Sequence, residues 1–325
     1  MTQKAPGKSH RDGISLTKLI KMFPDDETAR AWIEKQVWPD GPHCPKCGSL
    51  NIQHPIKHKT MTHRCRDCPG KTKFSVKTGT VMQSSKLGYQ TWAIAAYLVT
   101  TNLKGISSMK LHRDLEITQK SAWHLAHRLR KAFQNSPGAW FSGPVEADET
   151  YVGGSRKNMP RSKRKGLKGR GAVGKTAVAG IKDRASNKIA AKVVDDTTAE
   201  TMQNFVCAHA DTGATVYTDE ASHYIGLPYA HESVRHSTGE YVRGMAHTNG
   251  MESFWSMLKR GHKGTFHKLS PKHLDRYVTE FAGRHNSRDS DTLDQMETLA
   301  KGMVGKRLRY VDLTADNGKS SGARG

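Results

Sequence analysis

The sequence predicts an α/β protein whose sheet is preceded by a small metal-knotted segment and a helical segment. Three observations predict it. Cys44 and Cys47, then Cys65 and Cys68, form two C-x-x-C pairs separated by seventeen residues. Apolar residues recur at helical spacing across 84–133. From residue 144 onward, short β-branched runs alternate with helical patterns. The 325 residues carry a formal net charge of +22 and a pI near 9.8. Such an excess of Lys and Arg points to a polyanionic partner, nucleic acid first. The opening stretch MTQKAPGKSHRDGIS has no apolar signal region. The longest apolar run, WAIAAYLV, is far shorter than the roughly 20 residues a bilayer requires. A cytoplasmic, non-membrane protein is therefore expected.

The elements follow in order. Residues 1–21 are polar and basic and are expected to be disordered. A short helical lead-in occupies 22–41, with PDDETARAWIEKQVW as its helix and Asp25, Asp26 and Glu27 favouring its N-terminus. The segment 42–80 reads as a zinc ribbon: each C-x-x-C turn aims two thiolates at one ion, and two such turns close a tetrahedral site with no open position. The zinc is therefore structural. His43 and His63 stand beside the cysteines as possible substitute ligands. Basic neighbours such as Lys46, Arg64 and Arg66 suit contact with phosphate. Residues 84–135 read as three helices, a helix-turn-helix-like DNA-binding region. Thr118 caps the third, SAWHLAHRLRK is the candidate groove helix, and Arg128 and Arg130 are its candidate DNA contacts. A plain packing helix with a basic outer face is the equal alternative.

After NSPG the pattern changes. Strands are predicted at 144–152, 175–183, 187–196 and 213–220. A helix between the last two has capping-box spacing at Thr197 and Glu200. Cys207 on that helix reads as a core residue. Further helices begin near Asn249 and span 270–286, while 287–325 reads as a weakly patterned C-terminal extension. Between the first two strands, 155–175 holds nine Lys or Arg and no acid. Arg156, Lys157, Arg161, Lys163, Arg164, Lys165, Lys168 and Arg170 are its candidate contacts to a sugar–phosphate backbone. Its stretch GRGAVGKT matches the phosphate-loop pattern. A working phosphate loop needs an apolar strand before it and a helix after it. Here a basic stretch precedes and a strand follows, so no nucleotide is expected.

Two aspartates stand on strands: Asp148 in VEADETYV and Asp219 in ATVYTDE. Carboxylates on neighbouring strands, with a third from a helix, would hold two Mg²⁺ ions about 4 Å apart for in-line phosphoryl displacement. Locally, Asp219 also suits a turn, and Glu149 or Glu220 also suit the site. In HTNGMESFWSMLKRG, Asn249, Glu252 and Lys259 share one helical face. Asn-x-x-Glu is equally a capping box, and local pattern alone favours that cap.

The stretches FPDDETARAWIEKQVWPDGPHCPKCGS, KFSVKTGTVMQSSKLGYQTWAIAAYL, VEADETYVGG, GRGAVGKTAV, VYTDEASHY, HTNGMESFWSMLKRG and SPKHLDRYVTEFAGRHN resemble, in order, the ISXO-like insertion-sequence transposases. The resemblance covers most of 22–286. It implies an RNase H-like core over 143–286 with a Mg²⁺ (or Mn²⁺) site, Asp148 as first acid and Asp219 as second. Glu252 is the implied third acid, with Asn249 the alternative at that position, and Lys259 is the implied phosphate contact. It further implies cleavage at the element's ends and attack by the freed 3′-OH on target DNA. Double-stranded DNA, as terminal inverted repeats and target, is the implied partner, and a homo-oligomer is implied because two ends are processed. Two other readings remain at this point: a DNA-binding regulator with an inactive core, and an RNase H-like repair or junction nuclease that cuts without joining.

Overall fold

A computed structural model describes residues 12–134, 141–154, 156–165, 172–234, 247–319 and 321, apart from the side chain of Lys163. The chain divides into two units: Met1–Gln134 with Ser287–Ala315, and Asn135–Asn286 with Asp316–Gly325.

The first unit begins with α1 (Leu16–Met22), inside the stretch expected to be disordered. The correction has a clear cause. Ser15 accepts the Lys18 N–H as N-cap, and Leu19 and Phe23 are fully buried, each contributing about 1.5–3 kcal/mol of apolar transfer. In α2 (Asp26–Val37), Asp25 caps through the Thr28 N–H at 2.7 Å. The ribbon is a three-stranded antiparallel sheet, β1 (Ile52–Gln53), β2 (His63–Cys65) and β3 (Lys73–Phe74). Next, α3 (Tyr89–Thr101) is buried on nearly every side and packs against α2. A helix apolar all round belongs at a centre. A short α4 (Ser108–Asp114) leads to α5 (Gln119–Ala132), capped by Thr118 through the Ser121 N–H at 3.2 Å.

The second unit carries β4 (Val145–Val152), α6 (Arg161–Lys165), β5 (Thr176–Asp183), β6 (Ile189–Val194), α7 (Ala199–Cys207), β7 (Thr215–Asp219) and β8 (Ala230–Val234). Sheet order is β6-β5-β4-β7-β8. β5 runs antiparallel to β4 and β6, whereas β4, β7 and β8 are mutually parallel. Strand order 3-2-1-4-5 with only the second strand reversed is the RNase H-like arrangement. Two helices, α8 (Asn249–Gly261) and α9 (Pro271–Asn286), complete the unit.

Alternation along β4 sorts the two faces of the sheet. Val145 and Ala147 pack with Met202, Phe205 and Val206 of α7, while Val152 packs with Met251, Phe254 and Trp255 of α8. At edge strand β6 the outer backbone groups are taken up by α9: Asp275 accepts the Val193 N–H at 3.1 Å, and Asn286 bonds both the N–H and the carbonyl of Ile189 at 2.8 Å. An edge so covered offers no template for a further strand.

Several local expectations need adjusting. Thr198, not Thr197, caps α7, accepting the Thr201 N–H at 3.3 Å. Cys207 is half-buried at the helix end rather than in the core. β8 has no counterpart among the expected strands, because AHESV is largely polar. The expected C-terminal extension instead returns to the first unit as α10 (Thr292–Lys301) and α11 (Tyr310–Thr314), and Met296, Leu299 and Met303 join its core. Among the described residues, no helix is long and apolar enough to cross a membrane.

Candidate functional site

The ribbon gathers its thiols. The Sγ atoms of Cys44, Cys47, Cys65 and Cys68 all lie within 4.8 Å of one another, with Sγ···Sγ separations of 3.6, 3.7 and 3.3 Å among them. A tetrahedral ion with bonds of about 2.3 Å sets sulfurs about 3.8 Å apart, so the four residues fit structural zinc. His63 is not placed as a ligand. It lies in an aromatic stack, its ring 4.0 Å from that of His54 and 5.4 Å from that of Phe74, and burial pulls its pKa down to about 4. His43 packs edge-on to Trp38.

On the sheet, β4 and β7 pair in parallel with Val145 opposite Val216 and Glu146 opposite Tyr217. The same offset carried two residues further sets Asp148 beside Asp219. Asp148 is held on both sides: its Oδ1 accepts the Glu149 N–H at 2.9 Å and its Oδ2 accepts the Trp255 indole N–H at 3.0 Å. Burial first, then the negative charges of Asp219 and Glu149, pushes its pKa up to about 8. Asp219 accepts the Ala221 N–H at 3.1 Å.

Trp255 reaches Asp148 because β5 yields room. Gly180 lies opposite Asp148 in register, and a Cβ there would meet Met251 Cε at 2.4 Å and the Trp255 ring at 2.6 Å. Glu252 and Lys259 stand three residues before and four after Trp255, on the same helical face. Both are exposed. The cap position of α8 is Thr248, whose side chain makes no cap bond, and Asn249 is the first helical residue. The capping box anticipated on Asn249 and Glu252 is therefore not formed. Glu149 belongs to the other face of the sheet, where His223 Nε2 and the Tyr224 hydroxyl bond its Oε2 at 3.1 and 3.2 Å. Among the described residues, only the four cysteines draw three or more ligand atoms within 4.8 Å of one another, so the three acids are not gathered as closely as that.

Of the basic candidates, Arg156, Arg161, Arg164 and Lys165 line one cavity of about 570 Å³. Part of the segment expected to be a loop is helical, as a 3₁₀ turn at Arg156–Asn158 and as α6. Lys157 is exposed, and Lys168 and Arg170 lie outside the described residues, as does the side chain of Lys163. The strand β5, not a helix, follows GRGAVGKT. Arg128 and Arg130 are corrected: they are 8% and 3% exposed and do not face outward. Arg128 donates to the carbonyls of Leu308 and Gln83, each at 3.1 Å. What α5 exposes is its first turn, Thr118, Gln119 and Lys120.

Two stretches of the chain match known domains. Residues 141–286 match the ISXO2-like transposase domain, and residues 24–71 match the transposase zinc-ribbon domain. The chain thus carries an ISXO2-like transposase domain and a transposase zinc-ribbon domain. A protein described as an uncharacterized protein in transposable element ISH50, from Halobacterium salinarum, is 27% identical over 277 residues, covering 81% of this chain and 91% of the relative. This transposase thus has both domains of an insertion-sequence transposase. Sequence reasoning alone misses Glu146, Gly180 and Trp255. Glu146 and Trp255 are each one short step from a predicted acid, along a strand face and along a helix face.

Proposed function

We propose that this transposase cuts DNA at the ends of its element and joins the freed 3′-OH to target DNA, with Asp148, Asp219 and Glu252 as its catalytic acids. The observation that carries the reading is the hydrogen bond from Trp255 to Asp148. It ties the helix bearing Glu252 and Lys259 to a strand aspartate that stands beside Asp219. A pair of Mg²⁺ or Mn²⁺ ions, when bound, would activate the attacking oxygen and stabilise the leaving one.

The chain's own residues supply the rest. Asp148 and Asp219 offer acceptor oxygens on rigid strands, where small errors of placement are costly and least frequent. Trp255 and the Glu149 N–H fix the Asp148 carboxylate, leaving its remaining lone pairs available to a cation. Glu252 adds a third carboxylate from α8, and it is preferred to Asn249 because a carboxylate neutralises a hard cation better than an amide does. Lys259 places a positive charge one turn beyond Trp255, where it meets a phosphate next to the scissile bond. Arg156, Arg161, Arg164 and Lys165 hold the phosphodiester backbone.

The test is an assay of cleavage and joining on DNA carrying the flanking ends, with Mg²⁺ or with a chelator. Metal-dependent nicking and joined product from the wild-type chain, absent from Asp148→Asn, are expected. Nicking without joined product would instead support a nuclease. Specific end binding without any cleavage would support a regulator.

A further inference from the structure

A second buried acid lies beside the site and is used by none of these steps. Glu146 is 2% exposed. Its Oε1 accepts from Arg184 Nε at 2.8 Å and lies 3.4 Å from His247 Nδ1, while its Oε2 accepts the backbone N–H of Met251 at 3.0 Å. Arg184 is itself held: it donates to the His247 carbonyl at 2.7 Å and stacks over the Tyr217 ring at 4.2 Å. The helix α8 begins with no side-chain cap from Thr248. Its first N–H groups and positive dipole end require an acceptor, and a carboxylate serves best. The fit is close, since a Cβ at Gly250 would come within 2.7 Å of both Glu146 Oε2 and Lys182 Nζ.

We propose that Glu146 is a positioning residue for the metal site: its carboxylate caps α8 from the sheet and so sets Glu252 against Asp148. The inference rests on the reading of those two acids given above. Glu146 precedes Asp148 by two residues on the same face of β4, and the amide it holds belongs to the residue immediately before Glu252. One side chain therefore ties the helix to the strand close to both acids. Arg184 and Tyr217 extend the tie to β7, two residues before Asp219. A slip of α8 along its axis would carry Glu252 with it while leaving Asp148 in place.

The experiment compares full-length, zinc-loaded wild type with Glu146→Gln and Gly250→Ala. The amide of Gln keeps an acceptor for Met251 but loses the charge facing Arg184. Gly250→Ala keeps the charge and displaces it with a methyl group, while placing the better helix former in α8. Direct titration with Mn²⁺ is read beside the Mg²⁺ concentration giving half-maximal cleavage, the rate at saturating metal, the thermal midpoint and amide exchange at Met251. Both variants are expected to bind Mn²⁺ about tenfold more weakly and to need correspondingly more Mg²⁺, with faster exchange at Met251, as outer-shell partners of metal ligands do. Metal affinities are compared well below the thermal midpoint of each variant, where both are fully folded, which separates placement from folding. Faster exchange with unchanged metal affinity would reduce Glu146 to a structural cap and overturn the proposal. A wild type that binds Mn²⁺ but does not cut would remove the transposition reading, and the Mn²⁺ affinities alone would then decide the role of Glu146. A wild type that binds no Mn²⁺ would overturn both.

Discussion

Asp148 sits where a carboxylate resists ionising, buried beneath α8 with the charges of Asp219 and Glu149 close by, and its pKa is pushed up to about 8. A divalent cation bound there as proposed would have to displace the proton that this raised pKa favours at neutral pH. The sign follows: a raised carboxylate pKa means that metal affinity climbs with pH below about 8 and levels off above it. We expect a rise of about tenfold per pH unit between 6 and 8, with about one proton released per binding event, measured by calorimetry in buffers of different ionisation enthalpy. Trp255 opposes this shift, because its N–H bond favours the ionised form. Trp255→Phe should therefore move the pH optimum of cleavage upward and cost about tenfold or more in rate at pH 7, in line with a lost hydrogen bond to a charged group of about 1.5–3 kcal/mol. Asp148 and Asp219 stand out in the sequence as candidate acids because an acid inside or ending a β-branched run is conspicuous. Trp255 and Glu146 do not, since which residues meet across strand and helix depends on register that the sequence does not print.

At the scale of elements, α5 shows what periodicity can and cannot convey. The apolar face of Ala122, Leu125, Ala126 and Leu129 was readable, and so was the Thr118 cap. That Arg128 turns inward was not, because its acceptors are the carbonyls of Gln83 and Leu308, far away in sequence. Arg128→Ala is expected to destabilise the first unit by roughly 3 kcal/mol, since two buried carbonyls lose a charged donor. The salt dependence of DNA binding should stay as in wild type, and denaturant unfolding beside binding titrations at several salt concentrations checks both. α8 teaches the opposite lesson. Its shared face of Glu252 and Lys259 was visible at helical spacing, yet the local pattern favoured a cap on Asn249. The structure starts the helix one residue too early for that box, and a carboxylate from β4 bonds the Met251 N–H instead. Likewise β8 and α10 escape a reading of pattern because their residues are polar or weakly periodic. They are fixed by partners elsewhere, β7 for one and the α2–α3–α5 core for the other.

The whole molecule is a basic chain that folds as two units, the first built from two separate stretches, Met1–Gln134 and Ser287–Ala315. With a net charge of +22, the DNA binding proposed above should weaken steeply as salt rises, in step with the number of phosphates neutralised. Substituting Arg161 and Arg164 together by Ala should lower the slope of log affinity against log salt by about 2, one for each phosphate no longer neutralised. The same change in Arg128→Ala would contradict its inward placement. The central claim is that β4, β7 and α8 together form one catalytic centre for DNA cleavage and joining. The measurement that tests it most directly is strand joining at the element's ends by Asp219→Asn, Glu252→Gln and Asn249→Ala, side by side with wild type at saturating Mg²⁺. The account predicts that joining vanishes in the first two, with end binding retained, and survives in the third. Joining that persists in Asp219→Asn, or that is lost in Asn249→Ala and kept in Glu252→Gln, would contradict it.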